Sequence, residues 1–273
     1  MLKKLFKYEW KFFWKVPATI NLALALITLL GVTFIISPLW ELESKLIGIL
    51  MSTSLMFYYL SIFAGSIAVT VYIAIRFYRS AYTDEGYLTH TLPVTPRQII
   101  LSKLFVGTIW TFITGCVIII SVAVLIITFV FASTDFNLFY EIREVWEELL
   151  SLFEELGFHF YLSAFLFLLL SVAGSFFNIL MLYSAISLGQ MFSRHRIAGA
   201  VVWYIAEYTI VQFSSSILMS VTILGLFDSM DAFDSPGSIT SLLLGGSFLL
   251  TLAGDIILYY ITEYMMKKKL NLD

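Results

Sequence analysis

Six long apolar runs divide this chain, separated by shorter polar segments. They extend approximately from Pro17 to Ser37, Ile47 to Ile75, Leu104 to Ala132, Phe160 to Met191, Ile197 to Phe227 and Ile239 to Met265. A bilayer core about 30 Å thick is crossed by roughly 20 apolar residues of helix, so each run suffices for one crossing. Several are longer, which implies tilt or extension beyond the membrane. Proline marks the edges: Pro17 opens the first run, Pro38 closes it and Pro236 precedes the last. That residue is tolerated in the first turn of a helix and disrupts the interior. The pattern predicts an all-α polytopic membrane protein with six transmembrane helices, built as one transmembrane domain over residues 1–273.

Two polar intervals carry a helical period of their own. In residues 1–16, Leu5, Phe6, Trp10, Phe13 and Trp14 alternate with lysines. This suits an interfacial helix in the headgroup layer, rings inward and ammonium groups toward anionic lipid. The same lysines also serve as a simple orientation signal. Within residues 133–159, Ile142, Trp146, Leu149, Phe153 and Leu156 follow steps of three and four, opposite Glu144, Glu147, Glu148, Glu154 and Glu155. An amphipathic helix is predicted there, resting on the outer leaflet or capping the bundle.

Charge orients the spans. Fourteen of the 16 basic residues fall in alternate intervals that share one face. They are Lys3, Lys4, Lys7, Lys11 and Lys15, then Arg76, Arg79, Arg97 and Lys103, then Arg194 and Arg196, and finally Lys267, Lys268 and Lys269. The opposite intervals keep only Lys45 and Arg143. The positive-inside rule makes the basic face cytoplasmic, and with it both the N- and C-termini. The amphipathic helix of residues 133–159 is then extracytoplasmic. Acids such as Glu41, Glu148 and Asp231 gather on the other side but contribute little to orientation. The first run is too long for a signal-peptide core, and Ser37-Pro38-Leu39-Trp40 is no small-residue cleavage site.

Composition agrees: 60% of residues are hydrophobic and 13% charged, against about 25% charged in an average soluble domain. A net charge of −3 gives no reason to expect a nucleic-acid partner. The lone Cys116 has no partner for an internal disulfide and says nothing about redox compartment.

Catalytic signatures are missing. The sequence contains no phosphate loop, no H-E-x-x-H pair and no G-x-S-x-G elbow, and His90, His159 and His195 are widely separated. The expectation is a non-enzymatic chain that itself binds no cofactor or metal. Glu207 lies eleven residues after Arg196, and Asp255 twelve before Lys267. At about 1.5 Å per residue both are roughly 16–18 Å from the basic face, near mid-bilayer. An ionisable group at that depth faces the bundle interior or water by default, so Asp255 is expected to face inward. The two acids read either as a polar patch on a transport path, including an ion-coupling site, or as protonated packing residues. On the fourth run Ser171, Ser175, Asn178, Ala185 and Gly189 form a stripe of small and polar residues suited to close helix packing.

The most informative interval is residues 76–103. Thr83 or Asp84 suits the cap of a short helix, which Pro93 ends; Thr95 and Pro96 then launch the third span. The run Asp84-Glu85-Gly86-Tyr87-Leu88-Thr89-His90-Thr91-Leu92-Pro93-Val94-Thr95 resembles the cytoplasmic motif of bacterial type-2 ABC exporter permeases, above all the Asp-Glu-Gly-Tyr-Leu form found in Firmicutes. His90 stands where that form has a smaller or apolar residue. The resemblance implies six spans, an N-terminal interfacial helix, a coupling helix after the second span and a place in the bacterial cytoplasmic membrane. It also implies that Asp84, Glu85, Gly86, Tyr87, Leu88, Thr89 and Pro93 dock a separate ABC ATPase, which carries the ATP and Mg. A second copy of the permease, or a related one, would complete the path. The alternatives are an ion-coupled secondary transporter using Glu207 and Asp255, or a non-transporting sensor or assembly subunit.

Overall fold

The computed structural model describes residues 2–37, 45–83, 85–86, 94–133, 138–192, 194–228 and 236–268. Seven helices account for almost all of them: α1 Leu2–Phe13, α2 Lys15–Ile36, α3 Lys45–Tyr82, α4 Pro96–Ser133, α5 Leu138–Gly189, α6 Arg196–Asp228 and α7 Pro236–Lys268. Helices α2 to α7 are each long and apolar enough to cross a membrane, six in all. Their outward faces carry Leu30, Phe57, Ile119, Phe213 and Leu249, each more than half exposed. Water would drive such surfaces together, whereas lipid solvates them, so the chain is a multi-pass membrane protein.

Local chemistry explains the helix boundaries. Pro17 has no N–H to give the Phe13 carbonyl, and α1 breaks from α2 at Trp14, although the Trp14 and Ala18 amides still donate to the Trp10 and Trp14 carbonyls at 3.1 and 3.0 Å. Helix α4 begins as the sequence suggests. Pro96 takes the first position, the Gln98 and Ile99 amides donate to the Thr95 carbonyl, and the Gln98 side chain accepts from the Thr95 amide at 3.4 Å. The described part of residues 76–103 is mostly helix ends, α3 running on to Tyr82 and α4 starting at Pro96, while the coupling helix expected between them falls largely outside the described residues.

Helix α5 joins two parts. Gly157 breaks it with φ 51° and ψ −129°, a conformation open almost only to glycine. The span begins there, and the preceding stretch, Leu138 to Leu156, is the amphipathic segment. Its Trp146 is 59% exposed, so that part of the face is not capped by the chain's own bundle.

Packing is graded along the bundle. The main core gathers where α1, the end of α3, the start of α4 and the ends of α5 and α7 meet, around Phe77, Ile99, Ile100, Val106, Tyr183 and Met266. At its centre the Phe77 and Tyr183 rings stack at 3.8 Å between centroids and 11° between planes. Among the described residues, the opposite half has a small buried cluster of Ile35, Tyr58 and Leu125. Helix α5 packs chiefly on α7 and α6, and α4 on α2 and α1. Two clefts open between these groups: an apolar one of about 770 Å³ among α2, α3 and α4, and one of about 430 Å³ among α5, α6 and α7.

Candidate functional site

The basic ends of the helices converge on an ion-pair network. Helix α1 turns Phe6, Trp10 and Phe13 toward the bundle, where Trp10 stacks on Trp110 at 5.5 Å and Phe13 meets Tyr72 at 4.9 Å. Glu9 shares that face, and the sequence reading passed over it. Its carboxylate accepts from the ammonium of Lys103, a side chain only 5% exposed, and lies 3.9 Å from the Arg76 guanidinium. Arg76 also sits over the Phe12 ring at 5.7 Å. Lys103 is thus a buried partner of α1 rather than one more charge on the membrane face. Of the rings expected to point inward, Phe6, Trp10 and Phe13 meet protein, whereas Trp14 is exposed.

Arg76 continues the network into the predicted docking segment. Its Nη1 donates to Glu85 Oε2 at 3.4 Å, while Arg79 Nη2 donates to Glu85 Oε1 at 3.4 Å. Gly86 seats that carboxylate by a tight turn, its amide donating to the Thr83 carbonyl at 2.7 Å. A Cβ on Gly86 would stand 2.7 Å from the Ala81 carbonyl group, so the close approach demands glycine. Of the expected docking residues, Glu85 and Gly86 are placed in this way; Asp84, Tyr87, Leu88, Thr89 and Pro93 lie outside the described residues.

A second bridge ties α4 to α7. Arg97 Nε donates to Glu263 Oε1 at 2.6 Å, and Lys267 donates to the same oxygen. Glu263 also escaped the sequence reading, although its four-residue lead on Lys267 is the favourable helical spacing. The third link runs through α5: Tyr82, the last residue of α3, donates to Ser187 Oγ at 2.8 Å, and Ser184, one turn away, donates to Glu207 Oε2 at 2.8 Å. Helix α5 thus receives the end of α3 and the Glu207 carboxylate of α6 on two hydroxyls one turn apart, Ser187 itself donating to the Tyr183 carbonyl at 2.7 Å.

The two deep acids part company. Glu207 is buried at the wall of the α5–α6–α7 cleft, with Ser214 on the same wall; its Oε1 has no hydrogen-bond partner. Asp255 lies instead with Tyr259 and Tyr260 of α7 and with Phe176 and Leu180 of α5, along a shallow groove of about 390 Å³. It is half-buried, and its Oδ1 lacks a partner. This groove lies between α5 and α7, apart from the cleft that Glu207 lines. The small-residue stripe of α5 divides as well. Ala185 and Gly189 are buried, and a Cβ on Gly189 would stand 2.5 Å from the Ala200 amide nitrogen of α6, whereas Asn178 and Ser171 are exposed. Nothing in the sequence distinguishes the packed half of that stripe from the bare half. Compared with protein-family models, curated proteins and solved structures, the chain gives no match.

Proposed function

We propose that this chain is the transmembrane permease subunit of an ABC exporter in the bacterial cytoplasmic membrane, with the Asp84–Thr95 segment docking a separate ATPase. The observation that supports the reading is the seating of Glu85 and Gly86 within that motif. Glu85 is held by two arginines at the foot of α3, and Arg76 and Lys103 in turn hold α1 through Glu9. A push on the motif would be passed to α1, α3 and α4 together, which is what a coupling element requires. In this reading ATP and Mg bind the partner ATPase, whose closure shifts the helices between inward- and outward-facing arrangements. A second permease copy, or a related one, would complete the path. The rival reading, an ion-coupled transporter that uses Glu207 and Asp255, predicts transport without an ATPase; the two acids line different cavities.

The test is co-expression with a candidate ABC ATPase, chosen first from any phosphate-loop protein encoded beside this chain. The parent should co-purify with it, and hydrolysis should rise on assembly. Glu85→Lys, which places a cation against Arg76 and Arg79, should still insert in the membrane while losing most of that stimulation. Normal assembly and full stimulation in Glu85→Lys would refute the docking assignment.

A further inference from the structure

The α5–α6–α7 cleft has the makings of a ligand site. Its volume of about 430 Å³ lies within the range of small-molecule pockets, roughly 300–1,000 Å³. Most of the wall is apolar, with Phe177, Ile210, Val211 and Leu250 among its residues. Its polar groups are hydroxyls and one carboxylate; Ser247 can donate or accept, and the others are left mainly as acceptors. Ser214, Ser215 and Thr251 each donate their proton to the carbonyl four residues back in their own helix, at 2.9, 2.7 and 2.8 Å, leaving oxygen lone pairs to offer. Glu207 is 9% exposed, receives Ser184 on Oε2 and keeps Oε1 unpartnered. Among the described residues, no lysine, arginine or histidine lines the cleft. An ionised carboxylate near mid-bilayer costs roughly 2.5–3.5 kcal/mol on insertion scales unless something neutralises it.

A mostly apolar cleft, richer in acceptors than donors and backed by a buried carboxylate oxygen with no partner, favours a donor on a greasy body. We propose that this cleft binds a lipophilic primary amine, whose ammonium pairs with Glu207 Oε1 and bonds to the hydroxyl oxygens of Ser214, Ser215 or Thr251. The alkyl or aryl body lies against Phe177 and Leu250. Neutral lipid tails satisfy the apolar wall but leave the carboxylate oxygen unpaired, so they bind less well. Binding requires neither an ATPase nor transport, and it can be measured on this chain alone.

The full chain is placed in nanodiscs of neutral phosphatidylcholine and exposed to a dodecylamine carrying a photoreactive diazirine. Cross-links are expected on peptides covering residues 207–215 and 247–258, and excess dodecylamine should suppress them about tenfold. Dodecanol at the same membrane concentration should not. Glu207→Gln keeps the shape and can still accept from Ser184, and it should lower specific labelling at least tenfold. Asp255→Asn, in the other groove, should label like the parent. Equal competition by dodecanol, or parental labelling of Glu207→Gln, overturns the proposal. The amine-versus-alcohol comparison in the parent protein decides the question even if Glu207→Gln does not fold.

Discussion

Lys103 is a residue whose position sets its neighbours' roles. An ammonium with 5% of its side chain exposed must be paired, and Glu9 on α1 is the carboxylate that pairs it. Breaking such a pair by removing one member typically costs about 3–5 kcal/mol, because the other charge stays buried. Replacing both by apolar groups of similar size is close to neutral. Glu9→Ala should accordingly lower the unfolding free energy in mild detergent by about 3 kcal/mol, while Glu9→Leu combined with Lys103→Met regains most of the loss. A double variant as unstable as the single one would show that the pair does not hold α1. In the sequence Lys103 counts as one more basic residue at the membrane face. Glu9 was legible too: it falls three residues after Phe6 and four before Phe13, on the apolar face of α1.

Among the elements, α1 departs furthest from its expected surroundings. The amphipathic period identified the helix and its inward face, and an interfacial helix satisfies the same pattern by facing lipid. What separates the alternatives is a partner surface: Trp110 of α4, Tyr72 of α3 and the Lys103 pair receive this face. Hydrogen exchange distinguishes them directly. In a neutral detergent without anionic lipid, amides around Trp10 and Phe13 should stay protected on the timescale of the α4 core amides. An α1 held only by headgroups should lose that protection when anionic lipid is removed. Helix α5 makes the complementary point, since its outer stretch carries an amphipathic pattern of the same kind, yet Trp146 remains exposed. The same period served two helices, one that docks on its own chain and one whose described tryptophan does not.

For the whole molecule, the packing gradient gives the bundle a closed end and an open end. The core and the ion pairs gather where the basic residues are; clefts of about 770 and 430 Å³ lie between the helix groups. That is the form expected of a subunit hinged at the end where the proposed ATPase docks, with room to rearrange elsewhere. The orientation has its own check. In a Cys116→Ala background, Glu148→Cys should react with an impermeant maleimide on intact cells, whereas Arg194→Cys should react only after lysis. The reverse pattern would turn the topology over, and the docking proposal with it.

The number of spans and the predicted alternation of the basic intervals were decided by the sequence alone, because lipid requires about 20 apolar residues per crossing and such runs are visible without any contact information. The start of α4 was equally local: Thr95, Pro96 and Gln98 carry their own cap. Only the tertiary structure could separate Glu207 from Asp255, since depth along a helix is counted in residues while the direction each faces depends on which neighbour packs there. It also divided the α5 stripe, burying Gly189 against Ala200 and leaving Asn178 bare. Side chains such as Glu9, Arg76, Glu85 and Lys103 come from three helices and a turn, and no pattern within one segment encodes a network closed between segments. The physical reason is the same throughout. Solvent preference is a property of single residues and their period, whereas pairing is a property of surfaces that meet only when the helices pack.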